Sequence, residues 1–472
     1  MDNVDFLSYQ EDNNTRRHKM YIHPPVKFIF DVHLQRYSQL NIIKGMKRFR
    51  TSMMILFIAV TMTAKAQQTQ TRVYDAVVAA DGSGDYTTIQ EAINAASPTQ
   101  AHPYLIFIKN GRYNELIHVP AEKIGLHLIG QDPEKTIISY TLHSGGKNDI
   151  EFQYSVNNPE SPAYKHHATA EIAAPDFYAE GITFENAYGV SRQNGPQALA
   201  IRTLADRQAL YNCRLRSFQD TWFTSPEDQH RQYVKNCWIE GAVDYMYGGG
   251  DILVEQSTFY NVRSGSAITA PCHKENAKYG YVMRDCIVDG NTKAADGRQL
   301  LGRPWHNAPI TIWINTTMRI PIAPIGWTNM GAIPKLFAEY GSHDEKGNHL
   351  DLNQRKTAYE YTIRQTGDKV SGHRTTTISK QDADSLYTYH NIISSRDGWN
   401  PRQLMLQLPA PAKVRTTRHQ ISWKPVNNAI GYIITDNDEN VVAITKECYC
   451  KINSKSKKYR VRAISPSGSI GQ

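Results

Sequence analysis

Two aspartates occupy matching places in this chain. Asp220, in "SFQDTWF", follows Cys213 by seven residues, and Asp244, in "GAVDYMYGGG", follows Cys237 by seven. Both lie in runs of Val, Trp, Tyr and Phe that mark strands with buried side chains, so a charge at that offset needs a reason. If the two cysteines are equivalent positions of neighbouring strands, the carboxylates stack one rung apart, at roughly 5 Å. Each negative charge then opposes the other, and one carboxyl keeps its proton well above the ordinary range. A pair split in this way supplies an acid together with a base or nucleophile, as both halves of a hydrolysis require.

Other residues fall into the same pattern. Gln219 precedes Asp220, and Gln197 lies 22 residues before Gln219, about one coil further back. A neutral amide can stabilise a developing oxyanion without neutralising a carboxylate beside it. In "LGRPW", Arg303 and Trp305 stand two apart and so share one face of an extended segment. The guanidinium suits a carboxylate gripped through both oxygens, and the indole suits the apolar face of a sugar. With the aspartates they describe a site for an acidic sugar. A polar ladder that only satisfies strand-edge hydrogen bonds would use the same residue types, and spacing leaves both readings open.

The elements that must hold these residues are short strands. From Val73 the chain is built of β-branched and aromatic runs broken by Gly, Asn and Asp. Aligning the recurring texts on Cys213, Cys237, Ser257, Cys286 and Thr316 gives spacings of 24, 20, 29 and 30 residues, within the range of solenoid repeats. A parallel β-helix is expected, with Asn212 stacked on Asn236 and Cys213 on Cys237, the cysteines filling the interior as small apolar residues. "TTIQEAINAAS" is expected to be a helix plugging one end, with Thr88 and Glu91 at capping-box spacing. Residues 345–374 read as surface loop, and "SKQDADSLYTYHNII" as a helical turn packed on the coils. After "LPAPAKV", residues 412–472 alternate short strands and turns and resemble a fibronectin type III module. Residues 410–472 hold 11 Lys and Arg against 4 Asp and Glu, so this module could hold an anionic polymer or merely present a solvated basic face.

Composition bounds the rest. With 472 residues and 40% hydrophobic content the chain can build a large core and a second small one. From Met46 a basic stretch (Lys47, Arg48, Arg50), an apolar run to Met62 and Ala64-Lys65-Ala66 read as a secretory signal peptide over 46–66, too short for a membrane span. Residues 1–45 then read as a misassigned upstream start. Without residues 1–66 the chain holds 43 basic and 40 acidic residues, and its basic character is no argument for nucleic acid. Six cysteines without C-x-x-C spacing give no metal motif.

At these motifs the chain resembles the pectin methylesterases (pectinesterases, carbohydrate esterase family 8). "FQDTWF" resembles Q-D-T-L, "VDYMYG" resembles D-F-I-F-G, "GPQALAIR" resembles Q-A-V-A-L, and "LGRPW" is identical to the family text. The resemblance runs through most of residues 73–400. It implies a right-handed parallel β-helix over 70–405 that removes methyl esters from galacturonate in pectin with no metal or organic cofactor. Position by position it implies Asp244 as nucleophile, Asp220 as acid and then base, Gln197 and Gln219 as oxyanion stabilisers, and Arg303 as the residue orienting Asp244. Trp305, Tyr245, Tyr247 and Trp222 are the expected substrate-contacting aromatics. Methyl-esterified homogalacturonan is the expected partner, with no nucleic acid and no membrane span, and a secreted or periplasmic monomer is expected. A pectate lyase of the same fold and an inactive carbohydrate-binding solenoid are the alternatives; methanol release against formation of unsaturated uronate separates them.

Overall fold

Successive strands visit three parallel sheets in turn. Gln208–Tyr211 belongs to a ten-stranded sheet, Arg214–Arg216 to a nine-stranded sheet and Trp222–Phe223 to a seven-stranded sheet, before Arg231–Lys235 returns to the first. The computed structural model describes residues 72–98, 102–452 and 458–472, and in them this circuit makes a parallel β-helix. The segments read as upstream start and signal peptide lie outside the described residues.

The coil register follows the spacing of the sequence. Arg214 pairs with Trp238, Trp238 with Thr258, Thr258 with Ile287 and Ile287 with Thr317, each one residue beyond the Cys213, Cys237, Ser257, Cys286 and Thr316 series. Those five side chains are buried inside the coils, and the cysteines are free thiols. The residue before each one makes the corner between two sheets. Asn212, Asn236, Gln256, Asp285 and Asn315 all have φ between 50 and 54°, with Gly181 and Gly341 on the flanking rungs. Left-handed backbone turns the chain sharply, and Asn and Asp tolerate it better than most residues. The expected asparagine stack is thus chiefly a ladder of backbone conformation.

A helix, Ile89–Ala95, closes one end by burying Ile89, Ala92 and Ile93 in the solenoid core. Thr88 caps it by accepting the Glu91 N–H, while the Glu115 carboxylate accepts those of Ile89 and Gln90 in place of the reciprocal capping-box bond. Residues 345–374 are not simply a loop. Ala358–Thr362 and Lys369–His373 form an antiparallel hairpin, and its Tyr359 is buried in the core. The helical stretch after it is as expected: Ala383, Tyr387, Ile392 and Ile393 pack on the outer face of the ten-stranded sheet, against Tyr233, Leu253 and Val282.

Residues 415–464 form two three-stranded antiparallel sheets around Ile421, Trp423, Tyr432, Ile434 and Val461. The sheet of Gly431–Asp436, Val441–Thr445 and Tyr459–Ile464 turns Ile433 and Ile464 the other way. With Ile470 they join Val73, Tyr74, Phe107 and Tyr178 on the solenoid in one buried apolar cluster. Tyr74 donates its hydroxyl hydrogen to the Gly468 carbonyl at 2.8 Å, and His127 Nδ1 lies 2.9 Å from that of Ser467. The small sandwich is docked along the helix wall.

Candidate active site

Asp220 and Asp244 each lie two residues before a strand of the seven-stranded sheet, Trp222–Phe223 and Met246–Gly248, where Trp222 pairs with Met246 and Gln219 bridges Val243. The same register puts the two aspartates on one rung-to-rung line. Both have left-handed backbone, φ 61° and 49°, a conformation that costs free energy and is retained where the surroundings enforce it. Backbone bonds do so here: the Asp220 N–H reaches the Val243 carbonyl at 3.0 Å, and that of Asp244 reaches Ala267 at 2.8 Å.

The two carboxyls have different surroundings. Asp244 is 6% exposed and is gripped by Arg303, Nε to Oδ1 at 2.8 Å and Nη2 to Oδ2 at 2.5 Å. Among the described residues Asp220 has no such partner. Burial, then the charge of Asp244, pushes its carboxyl well above the ordinary range, with Arg303 only partly offsetting them. Burial raises Asp244 as well, but there the Arg303 hydrogen bonds and charge oppose it directly. The two environments favour the proton on Asp220 and the charge on Asp244.

The two glutamines lie on neighbouring backbone: Gln219 is the residue before Asp220, and the N–H of Ala198, next to Gln197, bonds the Gln219 carbonyl at 3.2 Å. The end of Gln219 lies against Gly195, where a Cβ would come within 3.3 Å of its Oε1. Gln197 is offset by one position from the expected stack, because Ile201 pairs with Trp222 and the coil spacing there is 21 residues. Ser144 donates its hydroxyl hydrogen to Gln197 Oε1 at 2.8 Å, which turns the amide N–H groups away from that contact. Ser144 was not foreseen; nothing in its local sequence marks it.

The four expected aromatics divide. Tyr247 and Trp305 flank the site, edge to face with ring centroids 5.6 Å apart. Trp222 and Tyr245 do not contact a substrate surface: both are fully buried in the solenoid core, Trp222 donating to Thr203 Oγ1 at 2.8 Å and Tyr245 to Asn261 Oδ1 at 3.0 Å. The left-handed turn at each aspartate sends the following side chains inward. The missed aromatic is Phe223, the rung partner of Tyr247 with ring centroids 5.2 Å apart; adding the coil spacing of 24 to its number would have found it. Of the three glycines after Tyr247, Gly248 and Gly250 have φ of 115° and 95°, and a Cβ on Gly250 would lie 3.0 Å from that of Ser225. They make the turn out of the site.

Coils and site together define a parallel β-helix enzyme with an arginine-gripped carboxylate, a second carboxyl one rung away and a wall of aromatic rings. The pectinesterase family profile matches residues 75–379. The chain is 31% identical over 298 residues to a pectinesterase of Petunia integrifolia, covering 60% of this chain and 73% of that one. It is 33% identical over 267 residues to pectinesterase 31 of Arabidopsis thaliana, covering 54% and 76%. The solved structure of pectin methylesterase from carrot superposes with a TM-score of 0.54 at 24% identity, over 68% of this chain and 93% of that one. This chain belongs to the pectinesterase family.

Proposed function

We propose that this chain hydrolyses galacturonate methyl esters in pectin, with Asp244 as nucleophile and Asp220 as acid and base. An ionised Asp244 oxygen attacks the ester carbonyl carbon, and the carbonyl π electrons move onto oxygen. Gln197 and Gln219 donate N–H groups to that oxyanion. Collapse breaks the bond to methoxide, which leaves as methanol with the Asp220 proton, and an acyl group remains on Asp244. Asp220, now a carboxylate, takes a proton from water as its oxygen adds to the acyl carbon. Expulsion of Asp244 as carboxylate leaves the uronic acid, which loses its proton to solvent to become the free uronate, and Asp220 is again protonated. Arg303 keeps Asp244 oriented and favours its ionised form. Tyr247, Trp305 and Phe223 offer flat apolar faces to sugar rings.

The observation that carries this reading is the asymmetry of the stacked pair: one carboxylate gripped by Arg303, the other with its proton held on by burial and its neighbour. The partner is methyl-esterified homogalacturonan, met outside the cytoplasm if the segment from Met46 acts as an export signal. Methanol release by wild type and by Asp244→Ala tests the assignment. The variant should fold normally and release no methanol above background; near wild-type turnover would remove Asp244 from the role.

A further inference from the structure

Two cavities adjoin along the seam between the solenoid and the C-terminal sandwich, of about 220 and 340 Å³, and Gln131 and Arg462 line both. Together they have the size of a small-ligand pocket. Their charge comes from one strand edge. Lys458, Arg460 and Arg462 alternate with Tyr459, Val461 and Ala463, so the three cations share a face while Val461 and Ala463 enter the sandwich core. All three line the larger cavity.

The acids there are already engaged. Glu439 is paired with Lys135 at 2.5 Å, Asp132 accepts the Glu134 N–H at 2.8 Å, and Asp436 Oδ1 accepts those of Asp438 and Asn440 at 3.0 Å; Glu180, which lines the smaller cavity, accepts from the Tyr178 hydroxyl at 2.8 Å and from Gln407 at 3.1 Å. Among the described residues no carboxylate lies within ion-pair distance of Lys458, Arg460 or Arg462. The Nε–H of Arg462 is buried without a hydrogen-bond partner. A half-buried guanidinium beside a second one, with its Nε–H unused, is an arrangement that an anion relieves.

We infer that this seam binds a stretch of uronate carboxylates, the free-acid polymer that ester hydrolysis leaves behind, at a place separate from the catalytic cleft. The choice of ligand rests on the proposed pectin methylesterase reading; the cavity and its unpaired cations do not. A planar carboxylate matches the guanidinium fork, and two joined cavities suit consecutive sugar units better than one compact ion. The chain would thereby keep hold of de-esterified stretches while its cleft works on esterified ones.

The test compares Asp244→Ala protein, in which esterified ligands survive, with and without Lys458→Gln, Arg460→Gln and Arg462→Gln, by calorimetric titration with oligogalacturonate and its methyl-esterified form. The cation substitutions should weaken free-acid binding at least tenfold, leave esterified binding unchanged, and reduce the salt sensitivity of the former. On the wild-type background they should leave methanol release from short esterified oligomers unaltered. Arg460→Lys with Arg462→Lys should recover most of the affinity, which separates lost charge from a lost fold. Free-acid affinity indifferent to the three substitutions overturns the seam site, and equal binding of single-stranded DNA of matched charge overturns its assignment to uronate. If seam-dependent binding persists but wild type releases no methanol, the catalytic reading fails alone.

Discussion

Asp220 has its carboxyl beside Asp244 with no hydrogen bond to it from any described side chain, and burial holds its proton on well above the ordinary 3.8. That has a cost in stability whose sign is fixed. A group whose folded value is raised above its unfolded one contributes stability below the unfolded value, and loses it as pH rises through the folded one. Asp220→Asn cannot ionise and escapes the loss. It should melt higher than wild type at neutral pH, with the gap closing below pH 3.8; an equal gap at both ends would sink the idea. The same variant should lose about 10²–10⁴ in turnover, since an amide supplies neither the proton nor the base. Arg303 acts on the other partner. The proposed mechanism requires Asp244 as carboxylate and Asp220 as acid, so kcat/KM should be bell-shaped, with Asp244 setting the acid limb. Arg303→Gln removes what opposes burial at Asp244, so its acid limb should move to higher pH as the rate falls. A limb that stays put would mean Arg303 only positions substrate. These residues were legible in sequence because equal offsets from equal interior positions put Asp220 and Asp244 in one slot. Trp222 and Tyr245 were expected at the substrate from the resemblance alone, and the left-handed turn at each aspartate directs both into the core instead.

At the scale of strands and corners, one residue per coil meets a conformational demand, and its type decides whether meeting it is cheap. Asn212, Asn236 and Asn315 suit left-handed backbone; Gln256, at φ 50°, does not, and its side chain is exposed. Left-handed backbone costs an ordinary L-residue roughly 1–2 kcal/mol, and glycine avoids this. Gln256→Gly should therefore stabilise the chain by about 1 kcal/mol even though glycine loses more entropy on folding, while Asn236→Val should destabilise it by about the same or more. Denaturant midpoints would decide, and Gln256→Gly behaving like a destabilising glycine would show that the corner does not set the cost. The coil register could be read from Cys213 to Thr316 because small interior residues recur at one point of each turn. The hairpin at 358–373 could not, since its two five-residue strands alternate only between exposed and half-buried side chains, with Tyr359 alone fully buried, and so short a pattern among polar residues does not stand out from loop.

In the whole molecule the solenoid wall and the sandwich complete each other's apolar surface. The sequence shows a change of character after "LPAPAKV" but does not show docking, because Ile433 and Ile464 look like ordinary strand residues until both faces of their sheet are seen to be covered. One face joins Trp423 and Tyr432 in the sandwich core, and the other closes over Val73, Tyr74, Phe107 and Tyr178. Each fully buried side chain of this size contributes about 1.5–3 kcal/mol relative to exposure. A chain ending at Leu408 forfeits Ile433, Ile464 and Ile470 from the cluster and leaves the solenoid half of it facing water, together with the unmet Tyr74 hydroxyl. It should melt several degrees lower and bind an apolar dye that the full chain does not. The proposed active-site groups Asp220, Asp244, Arg303, Gln197 and Gln219 all come from the coils, so methanol released per folded molecule at low temperature should be unchanged while thermal inactivation comes earlier. An unaltered melting temperature without dye binding would show that the sandwich is an independent appendage, and the shared cluster would then contribute nothing to the stability of the coils.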